Sequence, residues 1–136
     1  MAMADDEAEI IQFFHDYAAD FGRLGIQPLL HYFNRPCMAI APQGAFALTS
    51  DVEIEQLFEP RWEQLQAQGY VLSRWLEMRV RLLNEHIALA SNIAAHYDEA
   101  GQELERTAGT YVLHRGEKGW KIATLIVHSP DIPLPF

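Results

Sequence analysis

The second half of the chain contains four long segments whose alternation and residue types are those of β-strands. These segments are Tyr70–Leu83, His86–Tyr97, Gln102–Arg115 and Trp120–His128. The stretches between them favour turns, and they are Asn84-Glu85, Asp98–Gly101 and Gly116–Gly119. Because strands joined by such short turns pair with their neighbours in the chain, the pattern predicts an antiparallel meander.

An amphipathic helix is predicted over residues 5–21, ahead of this meander. Its apolar residues at helical spacing are Ile10, Phe13, Phe14, Tyr17, Ala18 and Phe21. Asp6 with Glu9 three residues later resembles a capping box at the start of the helix. Gly22 and Gly25 are residues suited to end it.

One short helix and two short strands are predicted next. Pro28 suits the first position of the helix, and Asn34–Pro36 is expected to stop it before a strand begins. The two strands, Cys37–Ala41 and Ala45–Thr49, flank a turn at Pro42-Gln43-Gly44.

A third helix is predicted from the capping box of Ser50 and Glu53 to about Gln68, with Gly69 as its stop. Its expected buried face consists of Ile54, Leu57, Phe58, Trp62 and Leu65. Pro60 lies inside this pattern and predicts a kink or a break, because proline lacks an N–H donor and clashes with the preceding turn.

The order of these elements, with helices first and the long strands second, predicts an α+β fold whose helices cover one face of the sheet. The length of 136 residues fits a single domain, 1–136. The last eight residues, 129–136, contain three prolines, and we expect an extension there rather than a helix or strand.

Composition argues against several classes of protein. The net charge of -9 disfavours a nucleic-acid partner, because phosphate contacts need clustered Lys and Arg. The single cysteine, Cys37, rules out a disulfide within the chain, is expected to be an inert thiol and favours a reducing cytoplasm. Residues Met1–Glu9 lack the features of a signal peptide, and no run of ~18 apolar residues predicts a membrane span. The six histidines show no metal-binding spacing, so we expect no metal and no cofactor.

The whole pattern resembles the NTF2-like superfamily, which includes ketosteroid isomerases, polyketide cyclases of the SnoaL type and limonene epoxide hydrolases. The resemblance rests on the first-helix pattern through Tyr17, on Ala41-Pro42-Gln43-Gly44, on the capping box at Ser50, and on Gly119-Trp120-Lys121-Ile122. It implies a cone-shaped, curved, mixed or largely antiparallel sheet with the three helices on its concave face. Such a fold hosts many unrelated activities.

The resemblance also points to missing catalytic groups. Tyr17 matches the tyrosine that ketosteroid isomerases carry on the first helix. Ala41 stands where the resemblance places their aspartate base, and Val112 stands near the place of their second acid. Thr124 occupies the position where many relatives have a histidine. Steroid-isomerase chemistry is therefore not expected, because no carboxylate is left to abstract a proton.

The strand His86–Tyr97 predicts one wall of a pocket, because one of its faces is small and polar. That face reads His86, Ala88, Ala90, Asn92, Ala94, His96. Asn92 is the candidate polar group of the wall, with Arg106 and Thr110 on the next strand. An alternative is that the small residues merely accommodate the third helix.

Three functions remain open from the sequence. The first is binding of a small hydrophobic molecule with one or two oxygens, in a pocket lined by Phe14, Tyr17, Phe33, Trp62 and Asn92. The second is an isomerase, cyclase or dehydratase with Tyr17 as the acid and His96 or His114 as the base. The third is a protein-interaction module. Because several strands are apolar on both faces, we also expect a homodimer through the outer face of the sheet, as is common in the resembling family.

Overall fold

The computed structural model describes residues 2–136, and it describes their side chains except for residues 2–4 and 22–24. A long helix, α1 (Ala2–Leu24), is followed by a 3-10 helix (Gln27–Tyr32) and a second α-helix, α2 (Asp51–Ala67). The strands are β1 (Phe33–Ala41), β2 (Gly44–Leu48), β3 (Tyr70–Leu82), β4 (Ile87–Asp98), β5 (Glu103–Gly116) and β6 (Gly119–His128).

All six strands form one curved, unclosed sheet in the order β2-β1-β6-β5-β4-β3. Strands β3 to β6 pair with their chain neighbours in antiparallel fashion, so the predicted meander is confirmed. Strand β1 pairs in parallel with β6 and in antiparallel with β2, which makes the sheet mixed. The α+β class and the helices on the concave, inner face agree with the expectation from the sequence.

Helix α1 lies against the inner face of the sheet. Ile10 and Phe14 are fully buried, and the indole Nε1 of Trp75 in β3 donates a hydrogen bond of 2.8 Å to the backbone oxygen of Phe14. The predicted capping box at Asp6 is wrong, because the helix begins at Ala2 and Asp6 lies inside it. The carboxylate of Asp6 instead accepts two hydrogen bonds from the guanidinium of Arg115 in β5.

The first strand begins earlier than the sequence suggests. Phe33 pairs with Ile122 of β6, so β1 starts there and runs through the Asn34–Pro36 stretch that we expected to stop a helix. The pairing of β1 with β6 is irregular between Phe33 and Met38, which accommodates the proline inside the strand. A long-range strand partner therefore overrides the local signal.

Helix α2 begins as the sequence predicts. Ser50 Oγ accepts a hydrogen bond of 3.2 Å from the backbone N–H of Glu53, while the Glu53 carboxylate accepts the backbone N–H of Thr49 at 3.0 Å. The helix continues through Pro60, so the predicted alternative of a break is wrong. The carbonyl that proline leaves without an N–H donor is that of Gln56, and both residues are exposed, so water can hydrogen-bond to it.

Residues 129–136, the C-terminal tail, cross the outer face of the sheet. The backbone oxygen of Phe136 accepts a hydrogen bond of 2.9 Å from Arg79 of β3, and the Arg81 guanidinium lies 5.4 Å from the centre of the Phe136 ring. Leu134 in the middle of the tail is buried. The pKa of Arg106 in β5 is raised by Glu103 and, more weakly, by Asp131 of the tail. These contacts place the tail over the outer face from β5 to β3.

Candidate functional site

A cavity of about 520 Å³ lies between α1, α2 and the inner face of the sheet. Its walls are mainly apolar, and the aromatic residues that line it include Phe21, Phe46, Phe58, Trp75 and Tyr111. The space exists because the inner face of the sheet carries small residues at this level, among them Ala39, Ala94 and Gly109. Its size lies within the range of ~300–1,000 Å³ that is usual for small-molecule pockets.

Tyr17 projects from α1 into this cavity. Its ring packs edge-on against Tyr32 and Phe33, with centroid distances of 5.4 Å and 6.1 Å. Among the described residues its hydroxyl has no hydrogen-bond partner. Burial raises the pKa of Tyr17 well above 10, and the neighbouring phenol of Tyr111 raises it further. Tyr17 is therefore a neutral phenol that can donate a hydrogen bond to a ligand oxygen.

Asn92 on β4 is the most unusual polar group of the cavity wall. The residue is fully buried, and neither its amide oxygen nor its amide nitrogen has a hydrogen-bond partner in the described structure. It pairs with Met78 of β3 on one side and with Gly109 of β5 on the other. A buried polar group without a partner costs about 1–3 kcal/mol, so this position carries a free-energy penalty that the fold itself does not offset.

His96, also on β4, is held by hydroxyl groups on both sides. Its Nδ1 lies 2.7 Å from Ser73 Oγ, which in turn lies 2.5 Å from the Tyr70 hydroxyl, and its Nε2 lies 3.0 Å from Thr107 Oγ1. Burial lowers the pKa of His96 to about 4, and the nearby guanidinium of Arg61 contributes to the shift. The imidazole is therefore neutral near pH 7 and acts as a hydrogen-bonding wall group.

The guanidinium of Arg61 is the one cation in the described cavity lining, and this cation already has an anionic partner. Its guanidinium forms an ion pair with Glu105 of β5, and both side chains are about one-third exposed, at 31% and 32%. No aspartate or glutamate is present among the described residues that line the cavity. An isolated charge placed in this interior would lose its hydration without gaining a counter-ion from the described lining.

Gly109 has a defined role beside Asn92. A Cβ atom at this position would come within 2.8 Å of the Tyr111 hydroxyl and 3.0 Å of its ring. Only glycine therefore allows the Tyr111 side chain to lie back over its own strand with its hydroxyl against position 109. Gly109 is also the residue of β5 that pairs with Asn92.

The structure brings together only part of the predicted binding set. Tyr17 and Asn92 line the cavity. Phe14 and Phe33 are fully buried and pack behind Tyr17, so they shape the wall without forming its surface. Trp62 packs against Phe21 and Tyr70 and is likewise outside the described lining.

The prediction that Arg106 and Thr110 belong to the pocket wall is wrong, because both lie on the outer face of the sheet. Asn92 pairs with Gly109, so the inner-face residues of β5 are Thr107, Gly109 and Tyr111. Thr110 bonds to Ser91 and His128 on the outer face, and Arg106 is exposed beside Glu103. Ser73, Thr107 and Tyr111 were missed, although their alternation would have identified them once the pairing of the strands was known.

The candidate catalytic positions divide in the same way. His96 lines the cavity, whereas His114 is exposed and pairs with Ile87 outside it. Ala41 lines the cavity where the resemblance places a base, so no carboxylate is present there. Val112 pairs with Thr124, and both point to the outer face. Val112, which the resemblance sets near the place of a second acid, therefore lies outside the cavity lining.

Cys37 is buried outside the cavity lining, and burial raises the pKa of its thiol to about 11, so it is unreactive near neutral pH. Within the described residues no group of three or more His, Cys, Asp or Glu could hold a metal ion. No helix of the described chain has both the length and the apolarity to cross a membrane.

The family described as NTF2-like protein (DUF6841) matches residues 6–130, so the chain belongs to this family. The fold predicted from the resemblance is confirmed by this match. No curated protein matches the chain.

Solved structures show the same fold at low sequence identity. An NTF2-like protein with a cystatin-like fold from Novosphingobium aromaticivorans has a TM-score of 0.76 at 14% identity, covering 96% of this chain and 86% of that one. A candidate aromatic ring hydroxylase from the same species has a TM-score of 0.70 at 15% identity, with 96% and 92% covered. A candidate scytalone dehydratase, also from that species, has a TM-score of 0.66 at 15% identity, with 93% and 85% covered.

Proposed function

We propose that this protein binds a small hydrophobic molecule with one or two oxygens inside its inner cavity. The observation that carries the proposal is the cavity of about 520 Å³, which has aromatic walls and polar groups that lack partners in the described structure. The Tyr17 hydroxyl would donate a hydrogen bond to a ligand oxygen, and the aromatic rings would bury its apolar body. The membership in an NTF2-like family supports a pocket-based function without specifying the ligand.

The first test is native mass spectrometry of the protein purified from its own host, followed by denaturing analysis of released molecules. We expect a small molecule bound in stoichiometric amount. The variant Ala94→Met places a longer side chain in the cavity and should lose that molecule, whereas Ala47→Met changes an exposed residue of β2 and should retain it. Equal retention by both variants would show that the molecule is bound elsewhere.

An acid–base enzyme is the alternative, and the position of His96 favours it. Tyr17 and His96 line the same cavity, and two proteins of similar fold carry the names of candidate enzymes, a hydroxylase and a dehydratase. The pKa directions weigh against rapid proton transfer, because Tyr17 is made a weaker acid and His96 a weaker base than their ordinary forms. Binding is therefore the function that these two groups support better.

Time-resolved mass spectrometry of the recovered molecule separates these two functions. An enzyme would convert the molecule, and both Tyr17→Phe and His96→Gln would slow the conversion by at least about tenfold. His114→Gln, which changes an exposed histidine outside the cavity, is the matched control and should convert normally. A molecule that the unaltered protein binds and returns unchanged would exclude the enzyme and leave the binding function standing.

A homodimer is the quaternary arrangement that we propose. Met38 and Ile40 of β1 point to the outer face of the sheet and are each 39% exposed, next to Ile126 of β6. The described contacts of the tail lie on β3 and β5, whereas the apolar side chains of β1 are exposed and can meet a second copy. The apolar side chains there would be buried by the same patch of the partner.

Light scattering coupled to size-exclusion chromatography tests the dimer. The unaltered protein should have twice the chain mass of 15.5 kDa, and Ile40→Lys should reduce it to the single-chain mass. Val52→Lys is the control, because Val52 is 59% exposed on α2 and away from the sheet. A protein that is monomeric at every concentration would instead favour an interaction module that binds a different protein through this face.

For the cellular setting we propose the cytoplasm, to which the single, buried thiol of Cys37 is suited.

A further inference from the structure

The amide of Asn92 is the one side chain of the described cavity wall whose donor and acceptor are both buried and both unpartnered. A carboxamide presents its oxygen and its N–H side by side in one plane, so the group that completes it must present a donor and an acceptor in the same way. A cis-amide of a lactam ring has this arrangement, as does a hydroxyl next to a carbonyl. A single ether or ketone oxygen satisfies only half of the amide.

The charged and neutral groups around the cavity limit the class of ligand head group further. The guanidinium of Arg61 is neutralised by Glu105, His96 is neutral, and the phenols of Tyr17 and Tyr111 are held in their protonated forms by burial. An anionic head group would find no free cation in the described lining, and a cationic one would find no carboxylate. The recognised head group is therefore neutral.

The Tyr111 side chain lies beside Gly109, the residue that pairs with Asn92 on the next strand. The polar atoms of Asn92 are covered in the present arrangement, and the Tyr111 hydroxyl lies over Gly109, which pairs with Asn92 across the sheet. Because this phenol also lines the cavity, we expect its rotation to give a ligand access to the amide and to bring a second hydroxyl near the ligand head group. The aromatic rings around this point, including Trp75, suit a flat ring system.

We infer that the ligand is a neutral, flat molecule with an adjacent hydrogen-bond donor and acceptor, and that the Asn92 amide recognises this pair. The inference rests on the proposed binding function and adds the chemical class of the ligand to it. Asn92 is then the residue that determines specificity, whereas the apolar walls supply affinity to any molecule of the right size.

A matched set of bicyclic probes tests the inference. Carbostyril presents a lactam N–H and C=O side by side, N-methylcarbostyril retains only the acceptor, naphthalene has neither, and naphthoate carries a negative charge. Dissociation constants are measured by titration with NMR detection. We expect the unaltered protein to bind carbostyril at least about tenfold more tightly than the other three, because only carbostyril satisfies both amide groups.

The variant Asn92→Leu has nearly the same branched shape without polar atoms, and it should bind carbostyril and naphthalene equally. Ser91→Ala alters the neighbouring residue on the outer face and should keep the preference of the unaltered protein. Equal binding of carbostyril and N-methylcarbostyril by the unaltered protein would overturn the inference and leave the binding function intact. A preference that persists in Asn92→Leu would also overturn it. Failure of all four probes, together with the absence of a copurified molecule, would overturn the proposed function and the inference together.

Discussion

Two buried polar residues that are adjacent in the chain, Ser91 and Asn92, show how differently the two faces of the sheet are built. Ser91 points to the outer face, where its hydroxyl lies 2.8 Å from Thr110 Oγ1, which in turn lies 2.7 Å from His128 Nε2. Asn92 points to the inner face, where its amide has no partner in the described structure. Both residues are fully buried, so burial alone does not explain the difference.

The comparison distinguishes buried polar groups that are bonded within the protein from a buried polar group that has no partner in the described structure. On the outer face, each buried polar atom of this set is bonded to another part of the protein, so the set stabilises the fold. On the inner face, the fold bears an unsatisfied amide beside a cavity, which is expected where function rather than stability determines the residue. Four changes test this division of the sheet into a structural face and a functional face.

The largest expected effect is the pH dependence that His96 gives the inner face. The pKa of His96 is about 4 in the folded protein and 6.5 for an ordinary histidine, as in the unfolded chain. Between these pH values the unfolded chain therefore binds the proton more readily than the folded protein. Stability is therefore full above about pH 6.5 and falls as the pH drops towards 4, by up to about 3 kcal/mol. Urea titrations from pH 4 to 7 should show this slope in the unaltered protein and in His114→Gln, and a smaller slope in His96→Gln. An identical slope in all three proteins would assign the acid sensitivity to other groups.

Gly109→Ala should destabilise the protein by about 2 kcal/mol and alter the cavity. The added methyl group would lie 2.8 Å from the Tyr111 hydroxyl and force the ring to move. Gly116→Ala, at the end of the same strand, introduces a methyl group into open space and is the matched control. Thermal unfolding of both variants measures the difference, and equal melting temperatures would mean that Tyr111 moves without strain.

Thr110→Val should destabilise the protein by about 1–2 kcal/mol. The substitution preserves shape but leaves the hydroxyl of Ser91 and the imidazole of His128 without their shared partner on the outer face. Chemical denaturation of Thr110→Val beside Thr124→Val, which changes an outer-face threonine of β6, isolates the loss of these bonds. A neutral Thr110→Val would mean that water replaces the lost hydroxyl.

Asn92→Leu should have the opposite sign and stabilise the ligand-free protein by about 1 kcal/mol. The substitution removes two buried atoms that lack partners and replaces them with methyl groups of similar shape. The melting temperature should therefore rise, although the preference for a lactam probe is lost. A clear fall in the melting temperature would show that the amide is satisfied in solution, which would make Asn92 a structural residue like Ser91.

The sequence predicts the fold better than it predicts the site. The strands follow from residues that are close together in the chain, whereas the site depends on how distant strands are aligned. The four long strands follow from alternation and turn residues, which are local signals. The inner placement of Asn92 and His96 also follows, because the face of a residue within one strand depends only on counting by two.

The errors arise where two strands must be aligned with each other. Arg106 and Thr110 were both assigned to the wrong face, and a shift of one residue is enough to reverse every side chain of a strand. The pairing of β5 with β6 contains an irregularity between Val112 and Leu113, which the alternation within one strand does not reveal. The start of β1 at Phe33 was missed for a related reason, since it depends on pairing with β6, which lies far along the chain.

The C-terminal tail acts as a tethered competitor for the surface that it crosses. Because the tail is attached to β6, its effective concentration at the outer face of β3 to β5 is on the order of millimolar or higher. Any other molecule that docks on this half of the sheet must displace the contacts of Leu134 and Phe136. Its observed affinity is therefore reduced in proportion to the fraction of molecules in which the tail has left the surface. The chain thereby selects between the two halves of one sheet surface, and it leaves the half around β1 as the accessible one.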